Sequence, residues 1–210
     1  MVLGLGTGST VRHFVSLLGD AMRSGALVDV VGVPTSERTE RQALEVGIPL
    51  VELGARAVVD LTVDGADEVS PEMDLIKGLG GALLREKMVA QASTRLLIIS
   101  DESKLVNRLG TRAPLPVEVV DWALPAQIRF LEATGAAVTL RTSGQGEPVR
   151  SDNGNVFLDC RYSDGIADPG ELERRLAYRA GIVDSGLFLG MADEVVIASP
   201  DGVRSSRRSV

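Results

Sequence analysis

The feature that most constrains this chain is the order of its short apolar runs, which alternate with amphipathic stretches. Val-Leu-Gly-Leu at residues 2–5 precedes a predicted helix from about Ser9, and Val-Asp-Val-Val-Gly-Val precedes another from about Ser36. Leu-Leu-Ile-Ile-Ser follows a predicted helix over residues 81–93. Short β-branched runs are typical of buried strands, and their alternation with helices predicts a parallel sheet with helices on its faces. We therefore expect a Rossmann-like α/β domain with a mainly parallel sheet.

The pattern changes after Pro114 and Pro116, where strand-like runs outnumber the predicted helices near residues 124–134 and 170–179. This change favours a second, smaller α+β domain with an antiparallel sheet. Glu-Val-Val-Ile-Ala-Ser at 194–199 is predicted to return to the first sheet, and the tail Ser-Ser-Arg-Arg-Ser-Val is predicted to fray. The predicted division is a catalytic domain of residues 1–114 and 191–210 and a smaller domain of residues 115–190.

The charge and hydropathy limit the partners of the chain. It has 22 basic and 29 acidic residues, a formal net charge of −7, which disfavours binding to nucleic acid or to anionic membranes. No apolar run approaches the roughly 20 residues that cross a bilayer, and the first residues lack a signal-peptide pattern. We therefore expect a cytoplasmic protein.

The scarcity of histidine and cysteine limits the chemistry. The single cysteine, Cys160, cannot form an internal disulfide, and the single histidine, His13, excludes a His-rich metal site. An enzyme of this composition that transfers protons must take its acids and bases mainly from carboxylates and lysines. The clusters of Asp, Glu and Lys are therefore the places to search.

A glycine-rich turn follows the first predicted strand and contains Gly6, Thr7, Gly8, Ser9 and Thr10. Backbone N–H groups and the dipole of the following helix favour an anion there, and the hydroxyl groups add donors without bulk, so the turn is a candidate phosphate site. The alternative is a structural turn in which Ser9 is the N-cap. A dinucleotide site is disfavoured because serine stands where the G-x-G-x-x-G pattern needs its last glycine.

Three further segments carry charge at predicted strand ends. Asp64-Gly65-Ala66-Asp67 follows Val-Val-Asp-Leu-Thr-Val, Lys77-Gly78-Leu79-Gly80-Gly81 precedes the helix with Glu86, and Asp101-Glu102-Ser103-Lys104 follows Leu-Leu-Ile-Ile-Ser. The alternatives are a local Asp-Gly turn and a glutamate that only complements its helix N-terminus. Ligands of open α/β sheets bind beyond the carboxyl ends of the strands. We therefore expect the segments to converge on one sheet edge, with Glu86 among apolar neighbours that suit a general base.

At this point the chain resembles the ribose-5-phosphate isomerase A family from residue 2 to about residue 199. The resemblance is carried by Gly-Leu-Gly-Thr-Gly-Ser-Thr, Gly-Val-Pro-Thr-Ser-Glu-Arg-Thr, Asp-Leu-Thr-Val-Asp-Gly-Ala-Asp-Glu-Val, Leu-Ile-Lys-Gly-Leu-Gly-Gly-Ala-Leu-Leu-Arg-Glu-Lys-Met-Val-Ala, Asp-Glu-Ser-Lys-Leu-Val, Pro-Leu-Pro-Val-Glu-Val, Asp-Asn-Gly-Asn and Gly-Ile-Val-Asp-Ser-Gly-Leu-Phe, in the family's order. The family interconverts D-ribose 5-phosphate and D-ribulose 5-phosphate in the non-oxidative pentose phosphate pathway. It uses no metal or organic cofactor, and the resemblance implies that this chain needs none and forms a homodimer or a dimer of dimers.

The resemblance implies a role for each matching residue. Glu86 would be the proton acceptor, and Asp64 would assist ring opening. Lys77 or backbone N–H groups would stabilise the developing oxyanion. Asp67 would line the sugar. The implied substrate-binding residues are Thr7, Gly8, Ser9, Thr10, Asp64, Gly65, Ala66, Asp67, Lys77, Gly78, Leu79, Gly80 and Lys104.

The chain departs from the family's pattern at three places. The family has a helix with a basic residue before its first strand, whereas Met1 here stands almost inside that strand. Leu79 replaces a usual glycine, which predicts a shifted turn or a blocked donor, and Ala180 replaces a usual proline. The alternative function is that of a noncatalytic sugar-phosphate sensor, which shares the fold. A glucosamine-phosphate deaminase or a CoA transferase is disfavoured, because neither base motif is present.

Overall fold

The computed structural model describes residues 1–55 and 58–208. Its strands and helices, in chain order, are β1 Val2–Leu5, α1 Ser9–Arg23, β2 Val31–Pro34, α2 Glu37–Glu45, β3 Leu61–Asp64, β4 Glu68–Val69, β5 Leu75–Ile76, α3 Leu83–Gln91, β6 Leu96–Asp101, β7 Leu115–Val119, α4 Leu124–Glu132, β8 Ala137–Leu140, β9 Val156–Arg161, α5 Pro169–Ala177, β10 Ile182–Ser185, β11 Leu187–Phe188, β12 Glu194–Ser199 and β13 Gly202–Arg207. A 3₁₀ helix spans Glu102–Lys104. No helix among the described residues is long and apolar enough to cross a membrane.

The chain folds into two compact units. The first comprises Met1–Ala66, Arg85–Ser103 and the chain from Met191, and the second comprises Asp67–Leu84 and Lys104–Gly190. The units differ from the predicted division, since Asp67–Leu84 and the residues between Lys104 and Pro114 cluster with the second unit.

The first unit contains a six-stranded sheet of order β13-β12-β6-β3-β1-β2. Five of these strands are parallel to their neighbours, as predicted, and β12 does return to this sheet beside β6. The strand β2 begins at Val31, later than the run from Val28 had predicted. The mainly parallel sheet with helices is confirmed.

Both faces of this sheet are covered, which explains why its central strands lack polar alternation. On one face, Leu3 and Leu5 of β1 pack in a cluster with Val11 and Val15 of α1. On the other face, Val2 packs in a cluster with Val89 of α3. Successive side chains of a strand point to opposite faces, so β1 contributes to both clusters.

The second unit contains two antiparallel sheets. One has four strands in the order β10-β7-β9-β8, and the other has three in the order β11-β5-β4. The four-stranded sheet and the helices α4 and α5 share one apolar core, which includes Leu115, Leu131, Leu158 and Leu176. The expected antiparallel sheet is present, whereas the two-residue strands of the smaller sheet were not predicted.

The prediction that the C-terminal tail frays is wrong for residues 205–207. They belong to β13, which pairs antiparallel with β12 along its whole length, from Gly202 opposite Ser199 to Arg207 opposite Glu194. All six residues of β13 are exposed. A strand with no buried face lacks the apolar alternation that sequence reasoning uses. Ser209 and Val210 lie outside the described residues.

Candidate active site

The glycine turn between β1 and α1 is fixed by close backbone packing. A Cβ on Gly6 would lie 2.2 Å from Oδ1 and 2.6 Å from Cα of Asp64, so only glycine fits there. Gly8 is the N-cap of α1 and has a φ of 141°, in the region that favours glycine. Because Ser9 is the first helical residue, the alternative that it is the N-cap is wrong.

Thr7 lies at the centre of a buried hydroxyl network in this unit. Its Oγ1 lies 2.8 Å from Thr35 Oγ1, 2.7 Å from Ser36 Oγ and 3.1 Å from Thr39 Oγ1. Thr35 Oγ1 donates to the Leu5 carbonyl and Thr39 Oγ1 donates to the Gly6 carbonyl. The network therefore connects the β1–α1 turn to the residues that begin α2.

Counting the hydroxyl protons shows which hydroxyl is the donor in each hydrogen bond of the network. Each hydroxyl has one proton to donate, and Thr35 and Thr39 give theirs to the carbonyls of the turn. Ser36 donates to Thr39 Oγ1, and Thr7 donates to Ser36 Oγ. Thr7 is 7% exposed, and its hydroxyl is occupied inside the protein.

Asp64 is the last residue of β3, and its carboxylate binds the same glycine turn through hydrogen bonds. It is 1% exposed, and its Oδ1 accepts hydrogen bonds from the N–H of Thr7 at 3.1 Å and of Gly65 at 2.7 Å. A carboxylate that accepts backbone N–H groups in this way orients the loop. Within the first unit Asp64 therefore acts on the conformation of the turn, in addition to any contact with a ligand.

Glu86 lies in the first turn of α3 and is 3% exposed. A carboxylate at this position stabilises the positive end of the helix dipole, which is the structural role considered as an alternative in the sequence analysis. A glutamate that only serves a helix dipole remains solvated in most proteins, whereas this one is buried, as is Val89 three residues further along the helix. Buried ionisable groups are candidates for function.

Lys77 is a buried cation of the second unit. It follows β5, is 2% exposed, and its Nζ lies 5.4 Å from the ring centroid of Phe188 on β11. Its backbone N–H donates to the Gly186 carbonyl at 2.9 Å, and a Cβ on Gly186 would lie 2.1 Å from the Lys77 carbonyl oxygen. Gly186 therefore permits the close approach that positions Lys77.

The turn after Lys77 is held from two sides in the second unit. The Leu79 N–H donates to Asp67 Oδ2 at 2.9 Å, so this donor is engaged by the carboxylate. Arg141 Nη1 donates to the carbonyls of Gly78 at 3.1 Å and Leu79 at 3.2 Å. Arg141 also donates from Nε and Nη2 to the two carboxylate oxygens of Asp159. Sequence reasoning missed Arg141, which stands in no motif and gave no signal.

Two buried glutamates of the second unit organise loops. Glu68 is fully buried, and its carboxylate accepts hydrogen bonds from the N–H groups of Gly110, Arg112 and Ala113. Glu118 is fully buried and its Oε1 accepts from Ser151 Oγ and Asn155 Nδ2. Glu68 lies in the Asp-Gly-Ala-Asp-Glu segment and Glu118 in Pro-Leu-Pro-Val-Glu-Val. These two motifs therefore also stabilise loops of the second unit.

The prediction that four segments converge on one sheet edge is only partly right. The turn at Gly6 follows β1, Asp64 ends β3 and Asp101 ends β6, and these three strands are adjacent in the six-stranded sheet. Lys77 follows β5, which belongs to the three-stranded sheet of the second unit. Lys104 ends the 3₁₀ helix and is half-buried in that unit. The described residues contain no cluster of three or more His, Cys, Asp or Glu that could hold a metal.

The comparisons with known proteins agree with one another. The chain matches the family described as ribose 5-phosphate isomerase A (phosphoriboisomerase A) over residues 31–202. The ribose-5-phosphate isomerase A of Chloroflexus aurantiacus is 52% identical over 204 residues, which cover 97% of this chain and 85% of that protein. That of Gloeobacter violaceus is 53% identical over 204 residues, which cover 97% of this chain and 87% of that protein.

Solved structures give the same result. A D-ribose-5-phosphate isomerase in complex with phospho-erythronic acid has a TM-score of 0.96 and 39% identity, covering 99% of this chain and 91% of that one. The ribose 5-phosphate isomerase of Plasmodium falciparum has a TM-score of 0.96 and 39% identity, covering 100% of this chain and 92% of that one. Fold and sequence thus agree over nearly the whole chain, which belongs to the ribose-5-phosphate isomerase A family.

Proposed function

We propose that this chain interconverts D-ribose 5-phosphate and D-ribulose 5-phosphate, with Glu86 as the general base. The observation that carries the proposal is the burial of Glu86, 3% exposed, in a member of an isomerase family. A buried carboxylate is costly for a fold and is suited to proton transfer, because it is shielded from water.

The reaction needs one base and one oxyanion stabiliser. After the sugar ring opens, Glu86 removes the proton from C2 of the aldose, and the electrons of that bond form an enediolate. Glu86 then returns the proton to C1, while O1 gains a proton and the O2 hydroxyl loses one, so that the carbonyl group moves from C1 to C2 and the ketose forms. The ammonium group of Lys77 stabilises the negative oxygen of the intermediate, which is the role of preorganised positive groups in enolisation.

The remaining residues bind the sugar phosphate. We assign the phosphate to the N–H and hydroxyl groups of Gly8, Ser9 and Thr10, since the first N–H groups of a helix have no partner within the helix. Ser9 and Thr10 are exposed, whereas Thr7 is buried. Lys104 supplies a cation, and Asp67 with the turn at Gly78–Gly80 lines the sugar. Asp64 holds the glycine turn, and we retain ring opening as its second role.

The sensor alternative is less well supported. A binding protein needs to hold the phosphate and the sugar hydroxyls, but it has no use for a buried carboxylate and a buried lysine. Both Glu86 and Lys77 are buried here. The oligomeric state, a homodimer or a dimer of dimers, and the cytoplasmic location stay predictions.

The substitution Glu86→Gln tests the assignment of the base. It preserves the size of the side chain and removes the proton acceptor, so we expect kcat to fall by at least about a thousandfold. The dissociation constant for D-ribose 5-phosphate, measured by titration calorimetry, should stay within about tenfold. The matched control is Glu40→Gln, an exposed glutamate on α2, which should leave both quantities unchanged. Full activity of Glu86→Gln would refute the assignment.

A further inference from the structure

A cleft of about 480 Å³ lies between α1 and α2 in the first unit. We call it the arginine groove, and its lining residues are Gly8, Ser9, Arg12, Arg38, Thr39, Arg41, Gln42 and Glu45. Its volume falls within the range of small-molecule sites. It overlaps the proposed phosphate-binding turn only at Gly8 and Ser9.

The arginine groove is positive in a negative protein. Its three arginines and one glutamate give a formal charge of +2, whereas the whole chain has −7. On α2 the spacing of Arg38, Arg41 and Glu45 places them on one helical face. The acidic residues Glu37 and Glu40 of the same helix do not line the groove. The charges of α2 are therefore segregated, with the arginines toward the cleft.

Two of the arginines stand where a helix disfavours them. Arg38 is the second residue of α2 and Arg12 is the fourth of α1, and both helix N-termini carry the positive end of the dipole. The first turn of α1 contains no acidic residue to compensate. Within the described part of the chain, no carboxylate forms a salt bridge with Arg12 or Arg38. A bound anion would offset the positive charge at these two helix N-termini, in addition to what Glu37 and Glu40 offset in the first turn of α2.

The groove is also held in shape. Gln42 Nε2 of α2 donates to the Arg12 carbonyl at 2.7 Å and to Ser16 Oγ at 3.1 Å, both on α1. Arg41 pairs only loosely with Glu37, at 3.8 Å between exposed side chains. The walls are therefore fixed while the guanidinium groups remain available to a ligand.

We propose that the arginine groove is a capture site for the phosphate dianion of the sugar-phosphate substrate, which it passes to the adjacent turn at Gly8 and Ser9. This inference rests on the proposed function. Guanidinium groups match phosphate oxygens in geometry and charge. A local positive field inside an acidic protein raises the rate of encounter with an anion, and this effect falls with ionic strength. The groove therefore acts on kcat/KM rather than on the chemical step.

The test compares two charge reversals in the same unit. Arg38→Glu alters the groove, and Arg204→Glu alters β13, the edge strand at the opposite end of the sheet from β2. At about 20 mM salt we expect Arg38→Glu to raise KM for D-ribose 5-phosphate about tenfold, with kcat within about twofold of the wild type. At about 500 mM salt the difference should shrink to about twofold or less. Arg204→Glu should match the wild type, and Arg12→Gln gives a second, milder variant of the groove.

Inorganic phosphate gives a readout that does not need turnover. Its dissociation constant, measured by calorimetry, should rise in Arg38→Glu and Arg12→Gln but not in Arg204→Glu. If the wild type fails to isomerise the sugar, the proposed function is wrong, and phosphate binding alone still decides whether the groove is an anion site. Unchanged phosphate binding and KM in both groove variants would overturn the inference. Weaker phosphate binding with an unchanged KM would also overturn it, because the groove would then serve a separate anion.

Discussion

Thr7 holds two turns together through a single side chain. Its hydroxyl reaches Thr35, Ser36 and Thr39, and its N–H donates to Asp64 Oδ1. Both of its donors are therefore used inside the first unit, and we infer that Thr7 positions the glycine turn while its neighbours meet the substrate. At the scale of single residues, much of the candidate site consists of groups that hold other groups in place.

The substitution Thr39→Val tests the hydroxyl network. It keeps the shape of the side chain but leaves the Gly6 carbonyl and the Ser36 hydroxyl without their Thr39 partner. Buried polar groups that lose a partner cost about 1–3 kcal/mol, so the melting temperature should fall by roughly 2–12 °C. KM should rise several-fold because the turn loosens. Thr94→Val, at an exposed threonine, is the control, and equal behaviour of the two variants would contradict the account.

Only some of the residues of the candidate site could be predicted from the sequence. Glu86, Asp64 and Lys77 stand in motifs at specific spacing, and the structure places all three in buried positions. Arg141 stands in no motif and could not be predicted. Its hydrogen bond to the Gly78 carbonyl forms only because the fold brings the end of β8 close to the turn at Gly78. The hydrogen bonds of Thr35 and Thr39 were likewise not predicted, although both residues stand in the Gly-Val-Pro-Thr-Ser-Glu-Arg-Thr motif, since a threonine has the same sequence signal whether it is buried or solvated.

At the scale of elements, the β1–α1 turn is built on a glycine that cannot be replaced. A Cβ on Gly6 would overlap both the side chain and the backbone of Asp64. The substitution Gly6→Ala should lower the free energy of unfolding by more than about 2 kcal/mol and the melting temperature by more than about 4 °C. Gly144→Ala is the matched control, since nothing lies within 4 Å of its Cβ and its backbone conformation is ordinary. Equal melting temperatures for the two variants would contradict the packing described here.

Strands could be predicted from the sequence where burial in the sheet requires a recognisable pattern of apolar residues. The parallel strands β1, β3 and β6 have branched apolar residues and were found, because both faces of the sheet are covered. The strand β13 was missed because all of its residues are exposed, and β4, β5 and β11 were missed because two residues cannot show a period. Because the two-residue strand β5 was missed, the segment at Lys77 was predicted to lie at the edge of the parallel sheet, whereas it follows a strand of the three-stranded sheet.

At the scale of the whole molecule, the candidate residues are distributed over both compact units. Gly8, Asp64 and Glu86 belong to the first, and Asp67 and Lys77 belong to the second. Each unit has its own apolar core, which supports the candidate residues of that unit.

The single thiol reports on the core of the second unit. Cys160 is fully buried on β9, and burial, with the nearby Asp159, raises the pKa of its thiol to about 12. At pH 8 only about one thiol in ten thousand is then ionised, and the thiolate is the reactive form. The folded protein should therefore not react with a disulfide reagent within minutes at pH 8, whereas the denatured chain should react fully. Rapid reaction of the folded protein would contradict this core.

The most direct test of the central claim is isomerisation in deuterated water. The purified chain is incubated with D-ribose 5-phosphate in D₂O, and the products are analysed by NMR and mass spectrometry. The account predicts D-ribulose 5-phosphate, formed by the wild type and by Glu40→Gln but not by Glu86→Gln. Solvent deuterium should accumulate at C1 over repeated turnovers of the reversible reaction, as the proton held by Glu86 exchanges with solvent. Absence of the ketose, or a ketose that stays free of deuterium after prolonged incubation at equilibrium, would contradict a proton transfer through Glu86.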